Sequence, residues 1–140
     1  MKLKALVAAG LAAMFTQTAQ AESLTIVITG IEELKGEIRL ALFDSEEAFD
    51  NGGSAAQGRL APVAEEKVTV VIDDLEAGEY AIKLFHDADG NGELDTNMMG
   101  MPKERYGFSN NKGRFGPPPW QEAVFEVAEG ADTEISINLR

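Results

Sequence analysis

Residues 67–87 read KVTVVIDDLEAGEYAIKLFHD, and the pattern of apolar residues in this segment indicates the fold class. The apolar side chains that share one face are Val68, Val70 and Ile72 before the turn at Gly78, and Tyr80, Ile82 and Leu84 after it. Alternation at every second position is typical of half-buried β-strands. Because strands with one apolar face need a second apolar layer to cover them, this stretch predicts two packed sheets.

The turn inside this stretch carries Leu75, then Gly78, then Tyr80 at the start of the next strand. This order is typical of a tyrosine corner, in which the phenol bonds the backbone of the preceding crossover in Greek-key sandwiches. The alternative is an aromatic residue that opens the strand without a special hydrogen bond. The corner predicts an all-β, antiparallel Greek-key β-sandwich.

The same alternation recurs around residues 24–29, 38–42, 123–125 and 134–139, so six strands are predicted, in three close pairs joined by short turns. Between them, residues 44–62 read as a surface excursion with a short edge strand near Val63, and Ser45 as the cap of a single helical turn. Residues 87–119 form a longer connection, and connections of that length are usually functional or held by a specific contact.

The first 21 residues have the three parts of a secretory signal peptide. Lys2 and Lys4 precede an apolar run, and Ala19-Gln20-Ala21 forms a cleavage site of small residues. The run is shorter than the roughly 20 apolar residues that cross a membrane, so no membrane span is expected after cleavage. We therefore predict a signal peptide over residues 1–21 and a single domain over 22–140, in the periplasm or outside the cell.

The composition excludes several function classes. The formal net charge is −12, which disfavours binding to nucleic acid or to anionic lipid. The chain has no Cys and one His, so it cannot build a Cys/His zinc site, a thiol nucleophile or a multi-histidine centre.

The strongest chemical signal is the acidic loop, residues 87–95, DADGNGELD. Its side chains with oxygen donors are Asp87, Asp89, Asn91, Glu93 and Asp95. Oxygen donors at the first, third and fifth positions, a glycine at the sixth and an acid at the ninth match the start of a calcium-binding loop. Clustered carboxylates also repel one another unless a cation is present. The loop therefore predicts Ca²⁺ as a cofactor, bound with millimolar to sub-millimolar affinity.

The match to a complete calcium loop ends at the twelfth position, where Met98 stands in place of the expected Glu. A predicted strand rather than a helix precedes the loop, so the chain is not an EF-hand protein. Either another carboxylate, such as that of Glu104 or Glu93, completes the ligand shell, or the site is weak and partly hydrated. The alternative is a turn without an ion, in which Asp89 and Asn91 bond their own backbone.

The residues beside the loop offer two further chemistries. His86, at a strand end, is expected to be a hydrogen-bonded rim residue, and the alternative is a catalytic role. Met98, Met99 and Met101, together with His86, offer soft ligands for copper(I), and the alternative is that they fill the end of the sandwich.

Three prolines at residues 117–119 predict an extended entry into Trp120. We expect Trp120 to pack over the edge of the sandwich. The alternative is an exposed pair with Tyr106 on which a sugar or peptide could stack.

The mature chain resembles the exported bacterial family catalogued as domain of unknown function 2141. The matching segments are residues 36–44, Leu75 with 77–81, 85–87, 91–97, 100–104, 106–111 and 113–118. The resemblance covers essentially all of residues 23–139 and is most specific from Phe85 to Pro118. It implies a small β-sandwich, transthyretin-like or Ig-like, with no assigned activity, and it favours a packing role for Met98 and Met99.

These observations predict a non-enzymatic binding or accessory module. Its expected partner is an unknown protein, peptide or glycan, and we expect a monomer. The rival classes are a periplasmic copper-binding protein and a transthyretin-like enzyme that uses His86. The hydrolase and iron-dioxygenase forms of such enzymes need several His or paired His and Tyr groups, whereas this chain has one His and two Tyr.

Overall fold

Eight β-strands and two short α-helices make up the described part of the chain in a computed structural model, which describes residues 22–94, 98–99, 103–113 and 116–140. The strands are β1 (Glu22–Thr29), β2 (Glu37–Phe43), β3 (Gln57–Pro62), β4 (Val68–Leu75), β5 (Gly78–Asp87), β6 (Tyr106–Phe108), β7 (Phe125–Val127) and β8 (Thr133–Asn138). The helices are α1 (Glu46–Asn51) and α2 (Trp120–Ala123), and a 3₁₀ turn covers Ser109–Asn111. The predicted signal peptide, residues 1–21, lies outside the described residues.

The strands form two sheets, which confirms the all-β class. One sheet has the order β4-β1-β8, and the other has the order β3-β2-β5-β6, with β7 pairing the opposite end of β5. All pairs are antiparallel except β1 with β8, which run parallel from Leu24↔Thr133 to Thr29↔Asn138. The prediction of a purely antiparallel arrangement is therefore wrong for this one pair.

The hydrophobic core lies between the two sheets and takes every second side chain from their central strands. From one sheet come Leu24, Ile26, Ile28, Val70, Ile72 and Ile137, and from the other Ile38, Leu40, Leu42, Tyr80, Ile82 and Leu84. Because successive strand residues point to opposite faces, the period-two pattern placed these side chains correctly.

The short turns that join consecutive strands connect the two sheets instead of forming hairpins. β1 leads into β2, β4 into β5, and β7 into β8, and in each case the two strands belong to different sheets. The prediction that these strands pair with each other is wrong. A short turn that crosses between sheets contains the same glycine and polar residues as a hairpin turn, so the sequence pattern does not distinguish the two.

Tyr80 forms the predicted corner at the crossover from β4 to β5. Its hydroxyl donates a hydrogen bond of 2.6 Å to the carbonyl oxygen of Glu76. Burial and the neighbouring carboxylates of Asp44, Glu76 and Glu22 raise the pKa of the phenol, so it stays a neutral donor.

Two strands were not among the six predicted, because neither has a clear apolar alternation. β3 occupies residues 57–62, just before the position near Val63 where a short edge strand was expected. β6 interrupts the long connection and pairs with β5 through Lys83↔Phe108, Leu84↔Gly107 and Phe85↔Tyr106. Gly107 leaves room for close packing, since a Cβ there would lie 2.7 Å from Cγ2 of Ile137.

A second apolar cluster covers the outer face of the larger sheet. It joins Phe43, Phe49, Ala81, Trp120 and Ala123. α1 begins as predicted, with the hydroxyl of Ser45 accepting a hydrogen bond from the Ala48 amide. The Trp120 ring lies edge-on to Phe49 with 6.0 Å between ring centroids, and it is buried. The packing role expected for Trp120 is therefore confirmed, and an exposed stacking pair with Tyr106 is not formed.

Among the described residues, no helix is both long enough and apolar enough to cross a membrane.

Candidate functional site

The acidic loop leaves the larger sheet at the end of β5, where Asp87 is fully buried. The pairing of β2 with β5 sets Glu37 opposite Asp87, and Arg39 lies two residues further along the same face. The Arg39 guanidinium reaches back across the sheet, with Nε 2.7 Å from Oδ2 of Asp87 and Nη2 3.0 Å from Oε1 of Glu37. The first acid of the loop is therefore tied to the sheet by a charged hydrogen bond.

The Asp87 carboxylate also accepts hydrogen bonds from backbone amides of its own loop. The Gly92 amide donates to Oδ2 at 2.8 Å, and the Asn91 amide donates to Oδ1 at 3.2 Å. Burial raises the pKa of the Asp87 carboxyl, but the hydrogen bonds from Arg39 and Gly92 outweigh it, so the pKa lies below its ordinary value. The pKa of the Arg39 guanidinium is raised, chiefly by the hydrogen bond to Asp87. Asp87 is thus held as a carboxylate.

The rest of the loop is folded by side-chain to backbone hydrogen bonds. Oδ1 of Asp89 accepts from the Asn91 amide at 3.1 Å, and Oδ1 of Asn91 accepts from the Glu93 amide at 2.9 Å. Gly90 and Gly92 have φ values of 71° and 84°, which favour glycine. These bonds are those expected of an Asx-rich turn, so the local backbone geometry fits that alternative as well as a calcium loop.

Three carboxylates converge above this turn. Asp87, Asp89 and Glu104 each offer one oxygen, and these oxygens lie within 4.8 Å of one another. Glu104 arrives from the segment before β6, and its Oε2 accepts a hydrogen bond of 2.9 Å from the Ala88 amide. Carboxylate oxygens at such spacing are suitable ligands for a hard divalent cation.

The structure does not bring the five residues assigned to the site from the sequence into one cluster. Asp87 and Asp89 belong to the carboxylate cluster, together with Glu104, one of the two residues expected to complete the shell. Among the described residues the cluster does not include Glu93, which is exposed. Asn91 uses its side-chain oxygen within the turn, and Asp95 lies outside the described residues.

His86 is buried beside the loop, and its ring bonds to the backbone. Nε2 lies 2.7 Å from the carbonyl oxygen of Lys35, so this nitrogen carries a proton that it donates. The residues that line a small pocket around it are Glu32, Glu33, His86, Ala88, Lys103, Glu104 and Arg105. The ring is therefore oriented by the backbone, as expected for a hydrogen-bonded rim residue.

The structure describes two of the three methionines next to the loop. Met98 and Met99 are both exposed, so the expectation that these two side chains fill the end of the sandwich is wrong. Met101 lies outside the described residues.

The 3₁₀ turn after β6 contains polar residues whose structural role was missed in the sequence. Ser109 donates from Oγ to the Ala123 carbonyl at 2.5 Å and accepts from the Ile82 amide at 3.0 Å. The Asn110 amide nitrogen donates to the carbonyls of Glu122 and Val124. These residues satisfy the backbone of β5 and of the α2–β7 segment, and Asn110 adopts φ of 63°, which is unusual outside glycine.

Asn111 bonds to β8 from the same turn, accepting from the Asn138 amide at 2.8 Å. The signal that could have drawn attention to this turn is three successive small polar residues, Ser-Asn-Asn, directly after an aromatic residue. Such side chains readily bond to backbone groups.

Comparisons with known proteins support a family assignment and nothing finer. A comparison with curated proteins and one with solved structures both found no significant match. A family model described as an uncharacterized protein conserved in bacteria matches residues 26–136, which cover both sheets and the acidic loop. The chain therefore belongs to this bacterial family, catalogued as domain of unknown function 2141.

Proposed function

We propose that the protein is an exported, non-enzymatic binding or accessory module whose acidic loop holds a Ca²⁺ ion. Its domain spans residues 22–140, and its place of action is the periplasm or the space outside the cell. The observation that carries the calcium proposal is the convergence of the Asp87, Asp89 and Glu104 carboxylates within 4.8 Å.

The charge of the cluster supports a cation. Arg39 neutralises the negative charge of Asp87. The carboxylates of Asp89 and Glu104 add two more negative charges close to that ion pair. Carboxylates at this spacing repel one another, and a divalent ion relieves that repulsion. The low pKa of Asp87 keeps it ionised, which a metal ligand requires.

The backbone of the loop supports the same proposal. Hydrogen bonds to the Asn91 and Gly92 amides hold Asp87 in place before any ion arrives. Such preorganisation lowers the cost of assembling the ligands. The exposed position of Asp89 and the half-buried position of Glu104 leave the cluster open to solvent on one side, so water would complete the shell.

The finer fold class is also part of the proposal. The crossover between sheets at Tyr80 and the hydrogen bond to Glu76 favour a Greek-key sandwich of the Ig-like or transthyretin-like type. In such modules, loops at the ends of the sheets carry the binding function. We infer that the loop end of the domain meets an unknown protein, peptide or glycan, and that the module acts as a monomer.

Thermal unfolding of matched variants tests the calcium proposal. The Tm of the chelator-treated protein should rise on addition of about 10 mM Ca²⁺, which is roughly 10 to 100 times the expected Kd and should stabilise by about 1.4 to 2.7 kcal/mol. Asp89→Asn and Glu104→Gln should each remove most of this rise. Glu65→Gln, at an exposed acid outside the loop, should keep it. An equal rise in all four proteins would contradict the assignment of these ligands.

Cell fractionation and intact mass test the export proposal. The full chain, expressed in a Gram-negative host, should be recovered from the periplasm or the medium with residues 1–21 removed. Recovery of the uncleaved chain in the cytoplasm would contradict it.

A further inference from the structure

Glu22, the first residue of β1, is a buried acid with one unpaired oxygen. The residue is 2% exposed, and Oε1 accepts a hydrogen bond of 2.5 Å from the Gly130 amide. Oε2 is buried and receives no hydrogen bond from the described residues. Acids are almost never fully buried without a partner, so this oxygen needs an explanation.

The surroundings of Glu22 are negative. Asp132 lies beside the same strand end, where its Oδ1 accepts a hydrogen bond of 3.2 Å from the Ser23 amide. A positive group placed here would gain from the carboxylates of both Glu22 and Asp132.

We propose that the missing partner of Glu22 Oε2 is the α-ammonium group that Glu22 itself acquires when the signal peptide is removed. This inference rests on the proposed export and on cleavage after Ala21. Hydrolysis of the Ala21–Glu22 peptide bond consumes one water molecule and leaves a carboxylate on Ala21 and an ammonium group on Glu22. The uncleaved chain has a single neutral N–H at this position, whereas the processed chain has a charged group with three donors.

The two groups that would pair are close along the chain. The α-nitrogen and the γ-carboxylate belong to the same residue, and the carboxylate is held by Gly130. β1 is the central strand of its sheet, and Glu22 pairs with Leu75 of β4 beyond a shift in register between Glu22 and Leu24. Processing therefore neutralises a buried charge at the start of the central strand, and the processed domain is more stable than the chain that still carries its leader.

A double-mutant cycle tests this coupling. One arm of the cycle is the N-terminus, either a chain that begins at Glu22 or one that keeps Ala19, Gln20 and Ala21 in front of it. The other arm is Glu22→Met, which is neutral, similar in length and unable to cyclise onto the α-amino group as glutamine does. Glu129→Met, at an exposed acid near Gly130, is the matched control. The measurement is the urea midpoint of each of the six proteins.

The expected result is that Glu22→Met lowers the midpoint clearly in the chain that begins at Glu22 but not in the extended chain, while Glu129→Met changes both chains alike. The same effect of Glu22→Met in both chains would overturn the inference. Intact mass of the exported protein separates this failure from a failure of the proposed function. A protein that is exported but begins at another residue overturns the inference alone, and a protein that is not cleaved overturns both.

Discussion

Nε of Arg39 lies 2.7 Å from Oδ2 of Asp87, and this contact joins the middle of β2 to the first acid of the loop. The carboxylate is fully buried, whereas the arginine side chain is 31% exposed. A buried carboxylate that loses its partner retains the full cost of its burial. The contact with Arg39 therefore holds Asp87, the first acid of the loop, at the end of β5.

Replacing Arg39 should destabilise the protein more than removing both charges. We expect Arg39→Met to lower Tm by several degrees, because it leaves Asp87 buried without its charged partner. The double variant Arg39→Met/Asp87→Leu should recover part of the loss. Lys67→Met, at an exposed position, serves as the control and should change Tm little. Equal Tm values for Arg39→Met and Lys67→Met, measured by circular dichroism, would contradict this role.

Stability should depend on pH through Asp87. Its folded pKa lies below the unfolded value of about 3.9, so the ionised group stabilises the protein above that value. The contribution is lost as pH falls through the folded pKa. In urea titrations, the difference between wild type and Asp87→Asn should be constant above about pH 5 and shrink below about pH 4. A difference that grows on acidification would show that the sign is wrong.

The tyrosine corner should contribute a measurable hydrogen bond. Tyr80→Phe removes the hydroxyl that bonds to the Glu76 carbonyl and should lower the free energy of unfolding by about 1 kcal/mol. Tyr106→Phe, at a half-buried tyrosine outside the corner, is the matched control. Chemical denaturation of both variants distinguishes the corner from a strand-opening aromatic residue, which would give the same small change at both positions.

Ser109 should contribute to the stability of the fold through two hydrogen bonds of its buried hydroxyl. Ser109→Ala leaves the Ile82 amide and the Ala123 carbonyl without their partner in a buried position, which should cost about 1–3 kcal/mol of unfolding free energy. Ser54→Ala, at an exposed serine, should be nearly neutral. A neutral Ser109→Ala in denaturant titrations would mean that the backbone groups find other partners.

The face of the sheet to which each strand residue points was predictable from the sequence, but the pairing of the strands was not. Alternation placed Ile26, Ile38 and Ile82 in the core because strand side chains point to alternate faces. The pairing of β1 with β4 and β8 depends on contacts between distant parts of the chain, and period-two patterns carry no such information. β6 was missed because Gly107 interrupts the apolar pattern in a strand of only three residues.

The residues of the candidate site were also only partly predictable from the sequence. Asp87 and Asp89 lie within a few residues of each other, so their spacing was visible in the sequence. The contact of Asp87 with Arg39 spans 48 positions, and no local pattern indicates it. Glu104 was named as one of two residues that could complete the shell, and the approach of its segment to Ala88 selects it over Glu93 for the cluster.

The most direct test of the calcium proposal is isothermal titration calorimetry of the chelator-treated protein with CaCl₂. We expect one binding event with a Kd of roughly 10⁻⁴ to 10⁻³ M, which is typical of extracellular calcium modules. Asp89→Asn should weaken the binding in the same experiment. The absence of heat, together with an unchanged Tm at millimolar Ca²⁺, would contradict the proposal and leave the acidic loop as an Asx-rich turn held by Arg39.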